Sequence, residues 1–412
     1  MALLMNPGVV TDGLVFYYDM ANIAKSYKGE PTTNQFAIPT PDSNGYVSFS
    51  VNGTGTFRRI YSGTYGGYTI QPTDIVYRYD LGTNGCHYHG NDVTITAGQY
   101  PTFTFDYYLS PDVTSFNDTF MANFENLGSG VGGSAALPNY YKGIWQTIQI
   151  NGNQANATSG LRMLLYPGGC SGGRLAATGY ILMKNPQVTF YSTSGKVLPF
   201  VAGTRSNTQA IVDLTGQNVI TATSLTYASD GTFSFNPANS NYIDSNPAAG
   251  LTGTGSWTME SWFKINGAPS NLSYGNVIVD TDATGGSANM IVVDYGGLHG
   301  GSQNQLLYAT RPSTGGSYTN LLGPVLTQGT YYHVAVVRNS TTDTKLYVNG
   351  ILNNTYSGNM PTATQPLVRV GRWTDGTVYS NTTIPVVKIY NRNLSDSEVL
   401  QNFYAQRGLY GV

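Results

Sequence analysis

The stretch from Tyr331 to Gly350, YYHVAVVRNSTTDTKLYVNG, constrains the fold of this chain more than any other. Apolar residues recur at every second position in two runs, Tyr332–Val336 and Leu346–Val348, and a polar segment separates them. Alternation with period two places one set of side chains on a buried face, so this stretch predicts an antiparallel hairpin beside a core. Asn349-Gly350 predicts a tight turn at the end of the second strand.

Composition narrows the class of protein. Charged residues make up 10% of the 412 residues, and the chain contains 50 glycines and 32 tyrosines. Glycine suits tight turns and tyrosine suits strands, so we expect an all-β protein of two or three domains. A net charge of −2 disfavours the basic surface that nucleic-acid binding requires. No stretch approaches the roughly 18 apolar residues of a membrane helix, so we expect neither a nucleic-acid partner nor membrane insertion.

Three segments resemble one known family. The hairpin motifs YYHVAVVR and LYVNG, the opening strand GLVFYYD at residues 13–19, and the segment IYNRNLSDSEVLQNF at residues 389–403 carry the match. They are similar to the laminin-G-like, concanavalin-A-like β-sandwich family, in the form found in viral and bacterial surface proteins. The resemblance implies a lectin-like sandwich followed by one short C-terminal helix. Ser395 and Glu398 form a capping-box pattern for that helix over residues 396–406, and Gly408 is expected to end it.

The continuation of the opening strand is displaced along the chain. In the family, a Y-D-L-S-G segment follows soon after that strand, whereas here its counterpart is Ile211–Gly216. We therefore expect a discontinuous lectin sandwich over residues 1–29 and 207–412, interrupted by a second domain at residues 30–206. The alternative is two domains in tandem with an N-terminal arm. If the insertion is correct, residues 14–18 should pair with the last strand near residues 386–390.

The inserted residues read as short strands separated by Gly, Asn and Pro. This pattern predicts a second sandwich, a jelly roll, that loosely resembles carbohydrate-binding modules. The link PFVAGTRS at residues 199–206 resembles links between jelly-roll and laminin-G-like modules in tailed-phage virion proteins. The predicted fold is thus all-β, a concanavalin-A-like β-sandwich interrupted by a jelly-roll β-sandwich.

Catalytic patterns are sparse. A glycosidase needs two carboxylates facing one sugar, and glycosidases of this sandwich fold carry a Glu-x-Asp-x-x-Glu strand. The four glutamates, Glu30, Glu125, Glu260 and Glu398, are far apart in the sequence, and Glu398 is accounted for by helix capping. We therefore expect no enzymatic activity.

Two clusters in the sequence are candidates for binding a metal ion. The first is a calcium site formed by Asp280, Asp282 and Asp294, because hard cations accept loop carboxylates; a structural calcium ion is the one cofactor considered. The second is the sequence Cys86-His-Tyr-His89, which a turn between neighbouring glycines explains better than a metal does. Cys86 could form a disulfide with Cys170, or both thiols could be unpaired.

The surplus of tyrosine in residues 30–206 suggests a binding surface. Tyrosine offers a large amphipathic contact area at low entropic cost, which suits sugar platforms and protein interfaces. We predict a carbohydrate-binding site formed by Tyr107, Tyr140, Tyr141 and Trp145. Strand packing explains many of the other tyrosines, and one residue of each adjacent pair should face away from the core.

Two functions follow from these features. The first is a non-enzymatic virion structural or surface protein of a tailed phage, as capsid decoration, fibre or tail component, that also adheres to host glycans. Its partners would be other virion proteins, copies of itself and cell-surface glycans. It would be made in the host cytoplasm without a signal peptide and located in the virion. The alternative is a carbohydrate-binding lectin module of a bacterial surface protein.

Overall fold

The computed structural model describes most of the chain. It covers residues 8–20, 26–37, 40–47, 50–52, 56–80, 87–89, 92–113, 119–138, 142–166, 178–227, 233–246, 255–281, 288–297, 300–311, 317–360, 367–373 and 376–412. The chain forms two compact units, Met1–Pro31 with Ser206–Val412, here called the discontinuous unit, and Thr32–Arg205, here called the inserted unit. The boundaries expected from sequence were residues 29/30 and 206/207.

The described elements are thirty strands, one 3-10 turn and one α-helix. The discontinuous unit begins with β1 at Leu14–Asp19. The inserted unit contains β2 (Thr32–Thr33), β3 (Ser50–Asn52), β4 (Thr56–Ile60), β5 (Thr64–Tyr65), β6 (Tyr68–Thr69), β7 (Val76–Asp80), β8 (His87–His89), β9 (Val93–Ile95), β10 (Tyr100–Leu109), β11 (Thr119–Leu127), β12 (Gly133–Pro138), β13 (Trp145–Asn151), β14 (Ser159–Tyr166), β15 (Tyr180–Tyr191) and β16 (Thr204–Arg205). The discontinuous unit resumes with β17 (Val219–Thr223), β18 (Thr226–Tyr227), β19 (Phe233–Phe235), the 3-10 turn (Pro237–Asn239), β20 (Tyr242–Asn246), β21 (Trp257–Ile265), β22 (Asn276–Asp280), β23 (Ala288–Val293), β24 (Gln305–Arg311), β25 (Thr319–Val325), β26 (Tyr331–Ser340), β27 (Asp343–Val348), β28 (Ile351–Tyr356), β29 (Val368–Val370), β30 (Thr382–Tyr390) and α1 (Asp396–Tyr410).

The discontinuous unit is a sandwich of two antiparallel sheets. The first has the strand order β18-β19-β30-β21-β26-β27-β28, and the second has the order β17-β20-β29-β22-β23-β24-β25. Strand β1 also pairs with β30, with Phe16 opposite Ile389 and Tyr18 opposite Val387. The predicted pairing of residues 14–18 with the last strand is confirmed. The residues before and after the inserted unit therefore complete one sheet.

The predicted hairpin is confirmed as β26 and β27. Val334 pairs with Val348, and Val336 pairs with Leu346, so the alternating apolar residues share the inner face. Asn349 and Gly350 both have positive φ, as a two-residue turn of this kind requires. Pro385 lies where the register between β21 and β30 shifts, a position that a residue without an N–H can occupy.

Helix α1 packs on the outer face of the first sheet. Ser395 caps its first turn and Glu398 closes the capping box, as predicted. Its buried side chains follow helical spacing and are Val399, Asn402, Phe403 and Gln406. The prediction that Gly408 ends the helix is wrong, because α1 continues to Tyr410 and Gly411 takes the left-handed C-cap conformation.

The inserted unit is a second sandwich. One sheet has the order β13-β10-β15-β7-β4, and the other has the order β12-β11-β14-β8-β3, with β9 also paired to β14. Its core includes Phe103, Phe105 and Tyr107 from β10. Residues of β10 that alternate with these three point to the outer face of the first sheet, which is where the candidate site lies.

Candidate functional site

The outer face of the β13-β10-β15 sheet presents three rows of side chains. In register, Trp145 lies opposite Tyr108, Thr147 opposite Asp106, and Gln149 opposite Thr104. Strand β15 continues these rows with Leu182, Lys184 and Gln187. One row is therefore aromatic and apolar, and the two rows beside it are polar.

The middle row is a connected polar strip. The Thr147 hydroxyl donates to Asp106 Oδ1 at 2.6 Å, and Lys184 Nζ lies 3.2 Å from Asp106 Oδ2. The side chain of Asp106 is 31% exposed and that of Lys184 is 13% exposed. This carboxylate is consequently held in one orientation while part of its surface still faces solvent.

The β5–β6 hairpin packs against the aromatic row and holds it in place. Trp145 Nε1 donates to the Tyr65 carbonyl at 2.8 Å, and the Trp145 ring packs against Tyr108 and Tyr68. Lys184 Nζ lies 3.9 Å from the centre of the Tyr68 ring, a distance at which the ring attracts a cation. Burial and a hydrogen bond to Asp74 raise the pKa of Tyr68 to about 12, so this phenol stays neutral.

A shallow groove runs along the polar rows. It encloses about 190 Å³ and is lined by Thr104, Phe105, Asp106, Thr147, Gln149, Asn185, Val197, Leu198 and Phe200. Gln187 fixes the segment that forms its far wall, because Gln187 Nε2 donates to the Leu198 carbonyl and Gln187 Oε1 accepts the Val201 N–H. The groove therefore has a strand-built polar floor beside an aromatic cluster.

The predicted sugar-binding residues have different positions. Trp145 is half-buried in the aromatic row. Tyr107 is 3% exposed and belongs to the core, so its prediction as a surface binding residue is wrong; its neighbour Tyr108 faces the opposite side, as the alternation required. Tyr140 and Tyr141 lie outside the described residues.

Sequence reasoning missed the polar groups of the site, Asp106, Thr147, Gln149 and Lys184. A signal was present in the alternation of β10, FTFDYY, which places Thr104 and Asp106 opposite to the phenylalanines. The pairing of β10 with β13 and β15 was not readable from the sequence. Without that pairing, the four polar side chains could not be assigned to one surface.

The predicted calcium cluster is not assembled. Asp280 pairs with Met290 at one end of the β22–β23 ladder, whereas Asp294 follows Val293, which pairs with Asn276 at the other end. The backbone positions of the two residues are thus roughly 13 Å apart along the strands. Asp294 accepts the N–H groups of Tyr295, Gly297 and Gly301, so it stabilises a loop. Asp282, Cys86 and Cys170 lie outside the described residues, and within those residues no group of three metal-ligating side chains occurs.

A larger cavity of about 450 Å³ lies in the discontinuous unit. Its walls include Glu30, Asn207, Ser224 and Tyr227. Tyr227 is 7% exposed and its ring stacks on Tyr27 at 5.4 Å. Because the Tyr227 ring already stacks on Tyr27, we take the groove of the inserted unit as the better candidate.

A closed polar cluster lies beneath α1 in the discontinuous unit. Glu260 Oε2 accepts hydrogen bonds from Lys388 Nζ at 3.2 Å and Asn402 Nδ2 at 2.9 Å, and His333 Nε2 lies 3.8 Å away. All four residues are 0% exposed. Burial opposes the charge of Glu260, but Lys388, His333 and Asn402 together outweigh it and hold its pKa below the ordinary value. Burial also lowers the pKa of His333.

Within the described ranges, α1 and the other helical segments lack the length and apolarity that crossing a bilayer requires.

Comparisons with known proteins give limited likeness. The receptor binding domain of botulinum neurotoxin D has a TM-score of 0.38 and 14% identity, covering 49% of this chain and 51% of that chain. The binding domain of Paraclostridial Mosquitocidal Protein 1 has a TM-score of 0.37 and 16% identity, covering 47% of this chain and 49% of that chain. The chain thus spans about half the length of these structures. A search of curated protein sequences gives no match.

The family comparison agrees with the laminin-G-like resemblance. A laminin-G-type family model described as the concanavalin A-like lectin/glucanases superfamily matches residues 237–400. The match begins at the 3-10 turn and ends within α1, and it includes the β26–β27 hairpin. Residues 237–400 are therefore similar to the concanavalin A-like lectin/glucanases superfamily.

Proposed function

We propose that this chain is a non-enzymatic glycan-binding protein whose binding site is the groove on the β13-β10-β15 sheet. The observation that carries the proposal is the row Thr147–Asp106–Lys184, which lies directly beside the aromatic row of Trp145 and Tyr108. Sugars present hydroxyl groups at their edges and C–H groups on their faces, so fixed polar side chains beside aromatic rings suit them.

Binding without catalysis fits the positions of the glutamates. Glu125 pairs with Arg162, Glu398 caps α1 and pairs with Arg392, and Glu260 is enclosed beneath α1. Glu30 is 8% exposed. Among the described residues that line the groove, Asp106 carries the one carboxylate, whereas glycoside hydrolysis ordinarily uses two.

A glycan array probed with the full chain tests the proposal. The best ligand is then titrated calorimetrically against wild type, Gln149→Ala and Gln154→Ala. Gln149 is exposed and lies in the groove, and Gln154 is an exposed glutamine of the same unit outside the groove. We expect Gln149→Ala to weaken binding about tenfold, as the loss of one hydrogen-bonding side chain does, and Gln154→Ala to leave Kd unchanged. Equal affinities for all three proteins would refute the assignment of the groove.

The second part of the proposal concerns location. We propose that the chain is displayed on a tailed-phage virion, where glycan binding would serve adhesion to a host. Its support is the resemblance of residues 199–206 to links of virion proteins and the low content of charged residues. Mass spectrometry of density-purified particles should find the chain in stoichiometric amounts. Copy number would distinguish capsid decoration from a tail or fibre, and absence from particles would favour a lectin module of a bacterial surface protein.

Association with other virion proteins and with further copies of the chain belongs to the same proposal. Light scattering of the purified chain measures self-association directly. A monomer at all concentrations would remove that part of the proposal and leave glycan binding in place.

A further inference from the structure

The closed cluster beneath α1 brings together three groups that can react with one another. Lys388 on β30 carries an amine, Asn402 on α1 carries a carboxamide, and Glu260 on β21 lies between them. Lys388 Nζ and Asn402 Nδ2 are each within hydrogen-bond distance of the same atom, Glu260 Oε2. All three side chains are 0% exposed. The groove proposed for glycans involves none of them.

We propose that Lys388 and Asn402 form an intramolecular isopeptide bond, and that Glu260 is the catalytic residue that moves the proton. Glu260 Oε2 takes a proton from the Lys388 ammonium across their contact. The neutral Nζ then attacks Asn402 Cγ and forms a tetrahedral intermediate. When this intermediate collapses, the Cγ–Nδ2 bond breaks, a proton passes to Nδ2, and ammonia leaves.

The reaction balances without an added reactant. An ammonium, a carboxylate and a carboxamide become a secondary amide, a neutral carboxylic acid and ammonia. One C–N bond forms and one C–N bond breaks, and no atom is oxidised or reduced. The product also removes two charges from a closed site, where charges are costly to keep even when paired.

Groups of Val10 and Tyr390 surround the Asn402 carboxamide, whose Cγ is the atom attacked. Asn402 Oδ1 accepts the backbone N–H of Val10 at 2.8 Å, and Asn402 Nδ2 also lies 3.0 Å from the Tyr390 hydroxyl. The Val10 N–H is directed at the oxygen on which negative charge develops during attack, which is the arrangement of an oxyanion hole. The Tyr390 hydroxyl donates to the Val10 carbonyl at 3.0 Å and so fixes the same segment.

The fold also holds Lys388 and Asn402 beside the same carboxylate, which favours the reaction between them. Amines do not attack carboxamides readily in water, but fixed neighbours have effective concentrations far above those of free reactants. The sheet fixes Glu260 and Lys388, which are opposite each other in the β21–β30 register. Helix α1 supplies Asn402 from its buried stripe. The bond would tie α1 covalently to β30, so the helix could not detach from the sheet.

Intact-mass measurement of the purified full chain tests the proposal. We expect a mass lower than the sequence mass by one ammonia. Trypsin does not cut after an acylated lysine, so we expect residues 373–392 linked through Lys388 to residues 393–407. The sequence mass, with peptides 389–392 and 393–407 recovered separately, would overturn the proposal. Loss of ammonia without the linked peptide would overturn it as well.

Variants assign the roles. Lys388→Arg keeps a cation but cannot form the amide, so its intact mass should show no loss of ammonia. Glu260→Gln should also retain the full mass, and continued cross-linking in it would overturn the role of Glu260. If Glu260→Gln does not fold, the wild-type mass and linked peptide still decide whether the bond exists. Lys345→Met is the matched control, because Lys345 contacts Asp396 at 3.1 Å on the exposed surface and should leave the cross-link intact.

Discussion

The carboxylate of Asp213 accepts the backbone N–H of Tyr17 at 2.9 Å, across 196 positions of the sequence. Asp213 is 2% exposed, and its oxygens also accept the N–H of Thr215 and the N–H and side-chain amide of Asn218. Tyr17 belongs to β1, which precedes the inserted unit, and Asp213 follows that unit. One buried carboxylate thus joins the two parts of the discontinuous sandwich.

Replacing Asp213 should destabilise this unit. Asp213→Ala leaves several backbone donors without an acceptor, and we expect a loss of about 3 kcal/mol in the free energy of unfolding. Urea denaturation followed by tryptophan fluorescence measures it, because Trp257, Trp262 and Trp373 lie in this unit. Asp42→Ala, at an exposed turn of the inserted unit, should leave that transition in place. An unchanged midpoint in Asp213→Ala would contradict the joining role.

Removing the first 12 residues should also destabilise the discontinuous unit. Val10 is 9% exposed and packs beside Tyr390 and Val399. Its N–H and carbonyl are both hydrogen-bonded, to Asn402 and Tyr390. We expect the deletion to lower the free energy of unfolding by about 3 kcal/mol. Deletion of residues 1–7 keeps these contacts and is the control. Identical stability of the two truncated chains would show that residues 8–12 contribute nothing to the free energy of unfolding.

Trp145→Ala should affect stability as well as binding. The Trp145 ring packs in an aromatic cluster, and its Nε1 donates a hydrogen bond to the Tyr65 carbonyl. We expect a loss of about 2 kcal/mol from the inserted unit. Calorimetric melting measures the change. A melting temperature equal to that of wild type would mean that Trp145 is held less firmly than the structure indicates.

Glu398 makes the stability of the discontinuous unit depend on acid pH. Hydrogen bonds from Arg392, with help from Ser395, hold the pKa of this carboxyl at about 2, against an ordinary value of 4.5. The contribution of the ionised Glu398 carboxylate to the free energy of unfolding is therefore complete above pH 4.5. It is lost as the pH falls to about 2.

Glu398→Gln should accordingly lower stability by about 1 kcal/mol at pH 7, since the pair with Arg392 is bidentate and only partly exposed. The variant and wild type should converge near pH 2. Urea denaturation across this range gives both values, with Glu125→Gln in the inserted unit as the comparison. A difference that persisted undiminished at pH 2 would rule out the ionised carboxylate as its source.

The sequence predicted local patterns well because period and turn chemistry are local. The alternation around Val334 and Leu346 and the Asn349-Gly350 turn were sufficient for the hairpin, and the opening strand's separation from residues 211–216 pointed to its pairing with β30. The length of α1 was mispredicted because Gly408 tolerates a helical position near the end of a helix that the sheet supports.

Site residues were less predictable because they depend on which strands become neighbours. Tyr107 is in the core and Asp106 is on the surface, although the two are adjacent in sequence. Asp280 and Asp294 looked close in sequence but lie at opposite ends of a ladder. The cluster of Glu260, Lys388 and Asn402 joins three elements separated by as many as 142 residues. Local sequence patterns do not predict contacts between residues so far apart.

A crystal structure of the full chain with its best glycan from the array would show where the sugar binds. We expect density for a sugar on the outer face of the β13-β10-β15 sheet, in hydrogen-bond contact with Thr147 or Gln149 and beside the aromatic row of Trp145. Density for the sugar at another surface, with the groove empty, would contradict this expectation.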